Sequence, residues 1–152
     1  LGWLADPKRP RMFSCQSSGC APIARAFDAG ERFATPAVDP HTRAFGLRVP
    51  AAVGDFLILD AVRASNGRAM SVDEERLDEW MRLAARSEGV SLCPESAICL
   101  GVLERALADG HIHPEESIVL FNTGAAQKYV ELLEVELPRI DRNAVDWDAI
   151  AD

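Results

Sequence analysis

No run of apolar residues in this chain approaches the roughly 20 needed to cross a bilayer, so a membrane-spanning helix is not expected. Excess positive charge is missing too. Lysine and arginine total 16 against 24 aspartates and glutamates, a formal net charge of -8, which argues against nucleic acid, whose phosphates need a basic face. The acidic runs are short, Asp73–Glu75 and Glu115–Glu116, and read as solvated helix starts and turns. No secretory signal opens the chain. Leu1 starts a short Gly/Trp/Asp/Pro segment without an initiating Met, the pattern expected of a piece cut from something longer. The cysteines, Cys15, Cys20, Cys93 and Cys99, show no C-x-x-C spacing. They therefore suggest neither a zinc knuckle nor a thioredoxin-like site, and fit reduced, partly buried thiols in a cytoplasmic protein. His111 and His113 have no third ligand nearby in sequence and read as part of a surface turn.

What is present is one ordinary domain. The 152 residues are 48% hydrophobic and 26% charged, enough to bury a core. Met12–Gln16 is a candidate strand, and Pro22 and Gly30 bracket a helix. Prolines 36 and 40 make the following segment a loop. A helix is expected over roughly 55–65, closed by Asn66-Gly67, then a short strand at Arg68–Ser71. Ser71 and Glu74 have capping-box spacing, and Leu77, Trp80, Met81 and Ala84 continue as one helical stripe. After Gly89, Val90–Cys93 reads as a brief extended run. Pro94 opens a helix ending near Asp109-Gly110, apolar on more than one side and so expected between two layers. Ile118–Phe121 reads as a buried strand. The alternation predicts an α/β fold, an open, mostly parallel sheet with helices on both faces. Residues 1–137 are read as the domain and 138–152 as a polar tail.

In open parallel sheets, ligands bind beyond the carboxyl ends of strands. Asn122, Thr123 and Gly124 follow Phe121 at such an end. Thr123 offers a hydroxyl that can donate or accept. Gly124 permits a sharp turn or the close approach of a flat group, although N-T-G after a strand is more often simply a turn. Glu95 lies just inside a helix start, a placement the helix dipole accounts for by itself. Gln16 to Gly19 follow a strand and precede a helix, where backbone amides could hold an anion or Ser18 could serve as N-cap.

Taken together, QSSGCAPIARAF, TRAFGLRVP, SVDEE, EGVSLCPESA and VLFNTGAAQKY, in this order, resemble the C-terminal portion of the threonine synthases. These belong to the fold-type II family of pyridoxal-phosphate enzymes, with the serine and threonine dehydratases and the tryptophan synthase β chain. The resemblance runs from Arg11 to Tyr129. It implies a three-layer α/β/α fold, pyridoxal 5'-phosphate as cofactor, O-phosphohomoserine as small-molecule substrate and a homodimer, or self-association through an exposed sheet edge. It implies that Thr123 hydrogen-bonds the pyridine nitrogen, that Glu95 stands near the ring, and that Gly124 and Asn122 shape the turn beside it. Ser96 stands where the family usually has Gly, and Ala126 where the last motif has its second Gly; each adds a Cβ near the supposed site.

The resemblance also implies what should lie elsewhere. The chain contains two lysines, Lys8 and Lys128, and neither matches the Schiff-base lysine, which is expected upstream together with the glycine-rich loop for the cofactor phosphate. No catalytic residue is therefore assigned within these residues, and the chain by itself is expected to be inactive. The rival readings are a related lyase of the dehydratase type and a truncated, non-catalytic remnant.

Overall fold

The computed structural model describes residues 9–132 and 142–147. Most of the proposed tail lies outside the described residues, as do its bounds at 138 and 152. Two strands, β1 (Phe13–Ser17) and β2 (Arg68–Val72), pair in parallel with Phe13 opposite Arg68 and Ser17 opposite Val72. The connection between them carries α1 (Pro22–Asp28) and α2 (Asp55–Ala64), and α3 (Leu77–Glu88) and α4 (Pro94–Ala108) follow.

Strand alternation sends neighbouring side chains to opposite faces, and the two cores record it. On one face Ala69 packs with Ile23, Ala26 and Leu59 from α1 and α2. On the other, Met70, Phe13, Cys15 and Val72 meet Leu77, Trp80, Ile98 and Val102 from α3 and α4. The result is helix, parallel sheet, helix, as the alternation predicted. α4 lies against both strands and α3 and buries Ala97, Ile98, Gly101, Val102 and Ala106, which accounts for its apolar residues on more than one side.

Four expectations are corrected. The Ser71–Glu74 capping box does not form: Ser71 is drawn into β2 opposite Gln16, and α3 starts six residues later. Glu74 instead accepts from the Arg43 amide at 2.8 Å and from the Thr42 hydroxyl. Ser18 does not cap α1. Its hydroxyl donates to Asp73, while the buried Gln16 side chain accepts from the Ala24 amide at 3.0 Å and satisfies a first-turn donor. With the Asp73 carboxylate on Ser18, the anion reading of this turn has no support. Finally, Ile118–Phe121 is not a buried strand. It pairs with neither β1 nor β2, and Val119 and Phe121 are 80% and 74% exposed. Its residues suit a pleated, half-covered surface, but a ladder also needs a neighbour, and none stands beside it among the described residues. Val90–Cys93 likewise contributes a single bridge, Leu92 opposite Ala125, rather than a strand.

Candidate functional site

The 122–129 segment is held against the start of α4. The Leu92–Ala125 bridge is antiparallel. The Cys93 amide donates to the Gly124 carbonyl and the Ala126 amide to the Ser91 carbonyl, both at 3.3 Å. Pro94 opens the helix, so Glu95 and Ser96 fall in its first turn, the turn that faces this segment. The buried Ser96 hydroxyl accepts from the Thr123 amide at 3.2 Å and lies 3.2 Å from the Cys93 sulfur. Thr123 is thus fixed through its backbone. Its side-chain hydroxyl makes no hydrogen bond among the described residues, and the residue is exposed. Asn122 is exposed beside it.

Gly124 is not at a positive φ, so a left-handed turn does not explain it. Nor does crowding: the neighbours a Cβ would meet stand at ordinary contact distance. A Cβ there would stand 3.4 Å from the Cys93 sulfur and 3.7 Å from the Lys128 ammonium.

Glu95 does more than complement a helix dipole. Its Oε1 accepts from the Gly46 amide at 2.8 Å and from the Tyr129 hydroxyl. Tyr129 stacks on Phe45, ring centroids 6.4 Å apart, and the Arg48 guanidinium lies 5.2 Å from the Phe45 centroid. One carboxylate therefore ties the 45–48 turn to the end of the 122–129 segment. Burial opposes the charged form of Glu95, but the Tyr129 hydroxyl, its own amide and the Gly46 amide outweigh it, and the group stays below the usual carboxylate range. Its stabilising contribution is present above the unfolded pKa and is lost as pH falls through the lowered folded value. The same contact, first among its causes, pushes the Tyr129 phenol up to about 12. That contribution has the opposite sense: it is full below the unfolded phenol pKa and is lost as pH rises through the folded one.

Tyr129 is the only tyrosine in the chain, so tyrosinate absorbance reports this contact alone. Titration is expected to show a midpoint near 12. In Glu95→Gln it should fall toward roughly 10, the ordinary phenol value. A midpoint already near 10 before substitution would mean that the two groups do not meet.

Thr123 is joined to the first turn of α4 through Ser96, and Glu95, next to Ser96 in that turn, joins it to Gly46 and Tyr129, with Gly124 and Asn122 flanking Thr123 in the chain. Ser96, Tyr129 and Gly46 were not assigned roles from sequence. Ser96 was visible only as an added Cβ, and Tyr129 only as the end of a motif. Chemically, the arrangement offers an available neutral hydroxyl beside a glycine backbone, with an anionic carboxylate held by donors in the first turn of α4. No group of three or more metal-ligating side chains is found among the described residues.

The whole chain can be set beside known proteins. It is 34% identical over 119 residues to a threonine synthase of Methanocaldococcus jannaschii, covering 78% of this chain and 29% of that protein. It is 28% identical over 129 residues to a cysteate synthase of Methanococcoides burtonii, covering 85% and 30%. A maize serine racemase structure superposes with a TM-score of 0.55 at 21% identity, over 80% of this chain and 37% of that one; at that identity it speaks for the fold alone. The chain thus spans about three-tenths of the length of these two curated relatives. The family described as "Pyridoxal-phosphate dependent enzyme" matches residues 2–124, and with most of its length inside that match the chain belongs to this family, whose cofactor is pyridoxal phosphate.

Proposed function

We propose that these residues form the ring-nitrogen end of the cofactor site in an enzyme that converts O-phosphohomoserine and water to threonine and phosphate. The observation that carries this reading is the unclaimed Thr123 hydroxyl, backbone-fixed against the first turn of α4, in a chain 34% identical to a threonine synthase. The residues fit that part of the cofactor: a hydroxyl can meet a pyridine nitrogen, and Gly124, having no side chain, leaves a flat group room to approach. When bound, pyridoxal phosphate supplies an electron sink for charge developing on substrate carbon. Thr123 would hold the ring nitrogen without the negative charge an aspartate brings, so the sink stays a weak one. That tuning suits departure of a group from the β or γ carbon.

Glu95, its negative charge held by neutral donors rather than by a cation, would keep the 45–48 turn and Tyr129 in place around the ring. Lys128, the only lysine among the described residues, packs on Gly124. It therefore stands at the nitrogen end of the ring, whereas the aldehyde is carried on the ring carbon opposite. We assign the covalent lysine and the phosphate loop to sequence outside these residues, and the isolated 152-residue chain is expected to turn over nothing. The exposed run Ile118–Phe121 would then be covered by the rest of a longer protein or by a second copy in a homodimer, in the cytoplasm.

The test is product analysis with the protein encoded by the complete reading frame. It should release phosphate from O-phosphohomoserine and form threonine in equal amount, while the isolated chain does neither. A second reading, a synthase of the cysteate type, is favoured by the similarity to the cysteate synthase. Offered instead a three-carbon amino acid with a leaving group on its β carbon together with sulfite, formation of cysteate with loss of that group, and no threonine from O-phosphohomoserine, would replace the first reading with this one. A keto acid would mean a dehydratase, and an inert full-length product would mean a remnant.

A further inference from the structure

We propose that Ser96 is a positioning residue, one that sets where the Thr123 hydroxyl stands against the cofactor ring. The inference rests on the reading of Thr123 given above. Ser96 is the third residue of α4, past the N-cap position held by Cys93, so capping its own helix does not account for its oxygen. The Ser96 oxygen faces across to the other segment instead, where it accepts the Thr123 amide at 3.2 Å and meets the Cys93 sulfur at 3.2 Å. A hydroxyl has one proton and two acceptor sites. One acceptor site serves Thr123, and the remaining capacity serves Cys93, so the side chain, 1% exposed, is satisfied within the protein.

The placement of this bond makes it decisive. Among the described residues, the Thr123–Ser96 contact is the only hydrogen bond made by residues 117–123. The next ties are at Gly124 and Ala126, both past the hydroxyl in question. Upstream of Gly124 an exposed, extended segment hangs on one buried oxygen. Removing that oxygen releases the Thr123 amide, so φ and ψ of Thr123 lose their restraint and the side-chain hydroxyl moves with them.

The experiment uses the cofactor-loaded protein from the complete reading frame. Hydrogen–deuterium exchange is read at residue resolution by mass spectrometry, and the solid-state NMR shift of ring-15N pyridoxal phosphate is read in the same samples. In Ser96→Ala, the Thr123 amide should exchange about five- to tenfold faster, the loss of one ordinary hydrogen bond, while Ala97 and Met70 keep their rates. The ring-nitrogen shift should move in the direction that Thr123→Val moves it. Ser96→Gly, which also lacks the oxygen, should behave alike. An unchanged Thr123 amide would overturn the proposal. So would acceleration spread along α4, which would mean that Ser96 only supports its own helix. A ring shift that responds to Thr123→Val but not to Ser96→Ala refutes the positioning role and leaves the Thr123 reading standing. A shift that responds to neither refutes both.

Discussion

Gly67→Ala is expected to cost about 3 kcal/mol of stability or more, at the upper end of what overpacking does. A Cβ at this position would lie 1.7 Å from the Met12 carbonyl oxygen and 2.7 Å from the carbonyl carbon. These are backbone atoms at the entry to β1, so no side chain can swing aside. Either the first residues of β1 shift away from β2, breaking the Arg68 amide bond to the Met12 carbonyl, or the turn after α2 opens. Gly30→Ala is the informative comparison. Its φ is +71 with open space around it, so the cost there is only left-handed strain, about 1–2 kcal/mol. Urea unfolding of the two variants at an unchanged m-value separates the cases. Equal midpoints would mean that the close approach at Gly67 is not real.

The second large effect is at the site. Thr123→Val keeps the shape of the side chain and removes its hydroxyl. If that hydroxyl meets the ring nitrogen, kcat should fall by about tenfold or more, in line with losing one hydrogen bond of about 1–2 kcal/mol to the group that develops charge. Cofactor affinity should drop less if, as proposed, the covalent lysine and the phosphate loop lie outside these residues. Thr123→Ser, which retains the hydroxyl, should restore most of the rate. The folded state should be indifferent to the change, since Thr123 is anchored by its amide rather than its side chain. A Val variant with full kcat would remove Thr123 from the chemistry.

Much of the frame was legible in the sequence, for reasons that can be named. α1 and α4 begin at Pro22 and Pro94, where the fixed φ of proline suits a first turn, and α3 ends at Gly89 in the left-handed conformation. These signals are local and nothing in the tertiary structure opposes them. The capping box at Ser71 failed because β2 pairing claimed the serine and the 42–43 backbone and hydroxyl claimed Glu74. Asn66 and Gly67 were read together as a helix closure. Asn66 does take the left-handed turn, at φ 55, but Gly67 is there for space. The Ile118–Phe121 run shows the limit most clearly, since strand-forming residues carry half of a ladder and the other half is a neighbour.

At the candidate site, Thr123 and Gly124 were singled out in one short motif and Glu95 in another, each read against a family. The contacts that organise them span 27 residues from Ser96 to Thr123 and 34 from Glu95 to Tyr129. No local pattern encodes a pairing at that separation. Ser96 in particular looked like crowding, because a side chain added where a glycine was expected has no visible partner until the fold supplies one.

The most direct test of the central claim is a crystal structure of the cofactor-loaded protein. The account predicts the Thr123 hydroxyl within roughly 2.6–3.2 Å of the pyridine nitrogen, its amide still on Ser96, and the covalent lysine contributed from outside this chain's 152 residues. A ring nitrogen that faces solvent or another side chain, or a covalent link to Lys128, would contradict it.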